Sequence, residues 1–200
     1  STEFFAGSSS VDLGNNTNFQ FTHCLAYYWV GDSGDWSDYG NHWATSSGGT
    51  FFHVSAPGPE DDVFFDANSF TTNGSVVNVD VANAEALSIT WQSALFTPTF
   101  TGNTAVDVYG DLELITLMNQ DFIGNWNFLA NDEGNIINTS VHSINEANFN
   151  GADDGEGEWI LQNDLNVTGD INLNNGTLNT NNKNISVHNF NSSTDKIRSL

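Results

Sequence analysis

Between residues 165 and 190 the chain reads LNVTGDINLNNGTLNTNNKNISVHNF, and its apolar residues keep to alternate positions. Leu165, Val167, Ile171 and Leu173 fall on one face, with Asn166, Thr168, Asp170 and Asn172 on the other. Successive side chains leave a β-strand on opposite sides, so this alternation describes strands with one face buried. A helix needs apolar recurrence every three to four residues, and no stretch of the chain sustains one. Leu178 follows a corner at Asn174-Asn175-Gly176, and Ile185 and Val187 follow another at 181–184. Three short strands separated by Asn-rich bends make one triangular coil of a parallel β-solenoid, apolar inside and polar outside. Asparagine suits such bends because it tolerates left-handed backbone and bonds to its own main chain. The chain holds 29 asparagines, 21 of them after residue 100.

A rival reading uses the same residues. Asn-Gly between alternating strands is also the strongest short hairpin signal, so Asn175-Gly176 fits an antiparallel sandwich. Polar corners recur at Asn73-Gly74, Gly102-Asn103, Asn150-Gly151 and Asn175-Gly176, and this recurrence favours the solenoid. The segments between them include VVNVDV at 76–81, LSITW at 87–91, AVDVYGDLELI at 105–115 and EWIL at 158–161. The expected fold is all-β: a right-handed parallel β-solenoid (β-helix) with an irregular aromatic, Gly/Asp-rich cap or junction near the N-terminus. Residues 1–22 are expected to be the tail of a preceding β module, 23–66 the Trp-rich cap or junction, and 67–200 the solenoid coils. The chain starts at Ser1 in mid-pattern, which is expected of a mature or excised piece.

Charge restricts partners. Three basic residues stand against 25 acidic ones, a formal net charge of −22. Phosphate backbones and anionic lipid are held by Lys and Arg, so nucleic-acid binding is excluded as a role, and no apolar run is long enough to enter a membrane. Cys24 is the only cysteine, so no disulfide forms within the chain; it reads as a small buried hydrophobe.

The segment YYWVGDSGDWSDYGNHW, residues 27–43, gathers three Trp, three Tyr, three Asp and a His. Followed by GPEDDVFFDANSF at 58–70 and GTLNTNNKNISVHNFNSS at 176–193, it resembles repeat modules of very large Bacteroidota cell-surface proteins. Such modules are adhesin-like or gliding-associated and leave the cell by type IX secretion. The matching elements are Trp29, Gly31, Trp36, His42, Trp43, Asp61, Asp62, Val63, Phe65 and Asp66, and the likeness runs from Tyr27 to the C-terminus. The resemblance implies β-solenoid coils, an extracellular or cell-surface setting, and neighbouring modules of the same polypeptide as partners.

Trp29, Trp36 and Trp43 lie seven residues apart. Exposed in a row, with Tyr39, they would stack on the faces of a surface glycan. Buried, they would plug the open end of the coil stack, and aromatic rings cover most area per residue. The lid is the expected role, with glycan binding the alternative. Asp32, Asp35, Asp38, Asp61, Asp62 and Asp66, and separately Asp153 and Asp154, offer oxygens for calcium, although no EF-hand spacing is present. The histidines show no paired ligand spacing for a transition metal. Neither G-x-S-x-G nor H-E-x-x-H occurs, and the acids crowd into loops instead of facing each other singly across a groove, so no enzyme activity is expected. The expected function is a structural, adhesive repeat module that touches a glycan or a host or substratum surface.

Overall fold

The computed structural model describes residues 4–6, 19–21, 25–151, 155–193 and 196–200. Strand takes 45% of the residues and helix 2%, wound as a parallel β-solenoid of about six turns. Each turn visits three faces. The first carries Ala26–Trp29, Asp62–Phe65, Ser88–Trp91, Leu112–Glu113, Asn135–Asn138, Glu158–Leu161, residues 176–179 and Arg198–Ser199. Gly34–Asp35, Val76–Val79, Thr99–Gly102 and Asn119–Phe122 make the second, and a three-stranded sheet of Ser143–Ile144, Leu165–Val167 and Ile185–Ser186 takes that place in later coils. The third holds Asn83–Ala86, Ala105–Val108, Asn125–Phe128, Glu146–Asn150, the start of Asp170–Asn179, and Asn189–Asn191.

These pairings are parallel and in register. The antiparallel sandwich is therefore excluded, and Asn175-Gly176 is no hairpin turn. It is the corner at which one continuous strand, Asp170–Asn179, passes from the third face to the first. A register shift opposite Phe149 and Asn150 sets one extra residue, Asn174, at that bend, as a β-bulge does. Gly176 turns there with φ +92°, and a methyl group on it would stand 2.5 Å from the Gly157 carbonyl oxygen and 2.9 Å from the Trp159 ring. No other residue meets both conditions.

Because coils stack in register, inward side chains form columns. On the third face one column runs Ala84, Val106, Trp126, Ala147 and Ile171, and a second runs Ala86, Val108, Phe128, Phe149 and Leu173; all are buried. On the first face Val63, Ile89, Leu112, Ile137 and Leu161 do the same. The columns merge into one hydrophobic cluster that also includes Trp29, Trp36 and Trp43. The aromatic segment is thus continuous with the coils: Ala26–Trp29 pairs in parallel with Asp62–Phe65 in the same sheet.

Outward side chains form columns too, and here the expected role of asparagine needs correcting. Many asparagines do not turn bends. Asn127, Asn148, Asn172 and Asn191 stand above one another on the third face, one per coil, over Asp107. Asn127 Nδ2 donates to Asp107 Oδ1 at 2.7 Å, Asn148 Nδ2 to Asn127 Oδ1 at 3.0 Å, Asn172 Nδ2 to Asn148 Oδ1 at 2.7 Å, and Asn191 Nδ2 to Asn172 Oδ1 at 2.9 Å. A carboxylate can only accept, so Asp107 orients Asn127 and, through it, every amide above. Asn83 Nδ2 also donates to Asp107, from the coil before.

The corner glycines give a graded test. Gly74 also has positive φ, +74°, but nothing lies within 4 Å of an added methyl group. Gly74→Ala is expected to cost only the left-handed backbone penalty, about 1–2 kcal/mol. Gly176→Ala adds overpacking and is expected to cost about 2–5 kcal/mol by urea unfolding. Equal losses would contradict the packed corner.

Candidate functional site

The aromatic segment sits at the N-terminal end of the stack. After Ala26–Trp29 the chain turns at Gly31 and Asp32, both at positive φ (+86° and +65°), and lays Gly34–Asp35 against Val76–Val79 on the second face. A four-residue helix, Tyr39–His42, brings it back, and Trp43–Ala44 pairs antiparallel with Ala26–Trp29. That antiparallel strand ends the first-face sheet. It pairs the outer edge of Ala26–Trp29 on that face at Tyr28 and Trp29.

The rings interlock inside this loop. Trp29, Trp36 and Trp43 are 0%, 1% and 0% exposed. Trp29 stacks on His42 at 4.6 Å, Trp43 meets Trp29 edge-on at 4.9 Å, and Trp36 meets Trp43 edge-on at 4.8 Å. Two of the three indole N–H groups are satisfied within the loop: Trp29 Nε1 donates to the Asp32 carbonyl and Trp43 Nε1 to the Trp36 carbonyl, both at 2.8 Å. His42 Nδ1 lies 2.7 Å from the Val30 carbonyl. Gly34 makes room for this histidine, since a methyl group there would overlap His42 Nε2. An exposed row of three indoles is therefore not what the fold builds, because their faces are spent on one another. Of the four aromatic candidates, Tyr39 is the one that faces solvent, at 41% exposure.

The acids of the segment are spread over separate turns. Asp32 accepts from Thr71 N, Thr71 Oγ1 (2.6 Å), Thr72 N (3.1 Å) and Ser75 Oγ (3.1 Å), tying the loop to the turn before Val76–Val79. Asp35 accepts from Asn78 Nδ2, Asp38 from Asn41 Nδ2, Asp61 from Leu25 N and Gly58 N, and Asp66 from Asn68 N. Asp62 lies in the strand Asp62–Phe65. Among the described residues, no three of His, Cys, Asp and Glu gather in a group able to hold a metal ion. The calcium candidates Asp153 and Asp154, and Cys24, fall outside the described residues.

Sequence reasoning did not single out a pair of adjoining shallow grooves on the corner between the second and third faces. Asn78, Asp80, Thr101 and Asp121 line one, Gln120, Asn145 and Thr168 the other, and both share Asp121 and Ile123. The lining residues come from successive coils, so the depression runs along the stack axis. Only the coil register brings them together, and no local motif marks them. Asp80 is engaged by Ser37 N at 2.9 Å. No protein family, curated protein or solved structure matches the chain.

Burial acts to raise the pKa of Asp32, but the hydrogen bonds from Thr71, Thr72 and Ser75 outweigh it and hold the carboxyl below its ordinary 3.8. Such a group stabilises the fold above its unfolded pKa, and that contribution is lost as pH falls through the folded value. Hydrogen bonds from Asn184 and Asn189 lower Asp164 and Asp170 in the same way. Stability is thus expected to fall on acidification below about pH 5. Asp32→Asn keeps the left-handed backbone but removes one carboxylate. Its unfolding free energy, followed in urea from pH 7 to pH 3, is expected to start lower and to decline less steeply than wild type. An unchanged slope would assign the acid sensitivity elsewhere.

Proposed function

We propose that the chain is a structural and adhesive repeat module of a secreted, cell-surface, fibre-like protein. The observation that carries this reading is the in-register stack itself. Each coil adds roughly 4.8 Å of axial length, so about six of them project a surface roughly 30 Å from their base. Polar outer columns bonded coil to coil, together with strong net acidity, suit a projecting element that stays soluble and resists lateral aggregation. Asp32, Asp38, Asp61 and Asp66 serve turns and Asp107 starts an amide ladder, which favours a non-enzymatic role for these carboxylates. The Bacteroidota surface, reached through type IX secretion, is proposed as the setting on the resemblance of residues 27–43, 58–70 and 176–193.

A carbohydrate-binding module is the second reading, and the axial groove supports it better than the Trp/Tyr segment. Asn78, Thr101 and Asp121 beside Ile123, which is 66% exposed, offer hydrogen bonds and an apolar contact to a neutral sugar. The surrounding negative charge disfavours an anionic one.

Inert beads carrying the chain are expected to attach to polysaccharide- or protein-coated surfaces under flow better than bare beads, with no glycan cleaved. Attachment no better than bare beads would contradict the adhesive role, and release of reducing ends would contradict the non-enzymatic one. Asp121→Ala is expected to reduce attachment to glycan at least threefold if the groove is the contact, whereas Tyr39→Ala would do so for the aromatic segment.

A further inference from the structure

The two axial grooves owe their place to a step in the wall of the solenoid. Two residues turn the corner between second and third faces at Asn103-Thr104, Ile123-Gly124 and Thr168-Gly169. Between Ser143–Ile144 and Glu146–Asn150 a single residue, Asn145, does so. The second-face sheet breaks at the same coil: Asn119–Phe122 is the last strand of one sheet and Ser143–Ile144 the first of the next. Asn145 ties across the step by donating from Nδ2 to the Ile123 carbonyl at 2.8 Å, and the Ile123 side chain stands out beside it at 66% exposure.

Hydrogen-bonding capacity is left over along this step. On the third face the outward amides are bonded coil to coil, from Asp107 to Asn191. In the grooves, Thr101, Asn103 and Asp121 bond through their side chains to no other described residue. Two further polar atoms, Thr104 Oγ1 in the first groove and Gln120 Nε2 in the second, are withdrawn from solvent with no partner among the described residues. Leaving such groups unpaired costs stability, so a ligand that hydrogen-bonds them gains by doing so.

The spacing identifies the ligand. Asn78, Thr101, Asp121, Asn145 and Thr168 come from five successive coils, which places polar contacts every 4.8 Å or so over roughly 19 Å. A pyranose in a straight, β-1,4-linked glycan advances by nearly the same distance. A peptide strand laid along the axis advances only about 3.3 Å per residue and falls out of step with the coils. Asp121, shared by both grooves, can accept from two sugar hydroxyls, and Ile123 offers an apolar contact to a ring face. The net charge of −22 repels an acidic glycan.

We propose that the paired grooves take a straight, neutral, β-1,4-linked glycan lengthwise, with one sugar against each coil. This proposal rests on the carbohydrate-binding reading of the groove and adds to it the linkage, the direction and the length of the ligand.

The probes are cello- and chito-oligosaccharides of two to six units, titrated calorimetrically into the full chain, with maltohexaose as a curled isomer of cellohexaose. In at least one straight series the affinity is expected to rise at least tenfold from two units to five, while the sixth adds less than twofold. Maltohexaose is expected to bind at least tenfold more weakly than the straight hexamer. Thr101→Ala and Thr168→Ala, near the two ends of the groove, are each expected to weaken the pentamer at least twofold and leave the dimer unchanged. Both side chains are replaced on the outer wall, and unchanged urea unfolding would show that the fold is kept. Binding that ignores chain length, equal binding of maltohexaose, or pentamer affinity indifferent to both substitutions would overturn the lengthwise fit and leave the glycan reading standing. No binding by either straight series or by maltohexaose would overturn that reading and this proposal together.

Discussion

The fold depends on one repeated contact, the face each coil turns to the next. Hydrogen bonds between parallel strands run along the stack axis, and a strand in the middle of the stack is paired on both sides. The same register that aligns backbone groups also aligns side chains. Apolar residues therefore meet apolar residues, as Phe128 meets Phe149 with stacked rings 4.9 Å apart, and amides meet amides on the outside. A slip of one residue would turn Trp126 outward and Asn127 into the core, so core and ladder enforce the same register.

Such a stack has ends, and the N-terminal one is handled explicitly. Three indoles and a histidine fill the cross-section, an antiparallel strand covers the first-face edge, and Asp32 anchors the loop through four hydrogen bonds. The residues most suggestive of ligand binding in the sequence are thus occupied in closing the fold. Three of the six cap and junction aspartates, Asp38, Asp61 and Asp66, bond within their own turn, at three residues' separation or less. What remains for contact is the outer wall, with its axial groove and its outward amides.

The coil at 165–190 was legible because Leu165, Val167, Ile171 and Leu173 alternate cleanly, and all four are buried. One corner inside it was not. The chain turns at Thr168-Gly169, between Leu165–Val167 and Asp170–Asn179, but the spacing from Val167 to Ile171 stays even across the bend. Inside remains inside around a corner, so alternation alone cannot show it. The strands Asn119–Phe122, Asn125–Phe128 and Asn135–Asn138 were also hidden, since asparagine has poor strand propensity. For Asn127, the partners that make up for this lie 20 and 21 residues away, where no local window looks. The spacing of seven between Trp29, Trp36 and Trp43 fits an exposed row and an interlocked plug equally well; the return through Tyr39–His42 decides for the plug. Likewise the crowding of aspartates said nothing of their convergence, because Asp32 reaches 39 residues forward for its Thr71 partner while Asp66 bonds Asn68 beside it.

The most direct test is a double-mutant cycle between Asn148 and Asn172, the middle rungs of the amide column, with each changed to Ala singly and together and unfolding followed in urea. Stacked, hydrogen-bonded coils predict a favourable coupling of about 0.5–1.5 kcal/mol. A coupling near zero, with the two single losses simply adding, would mean that these side chains do not meet and would contradict the in-register stack.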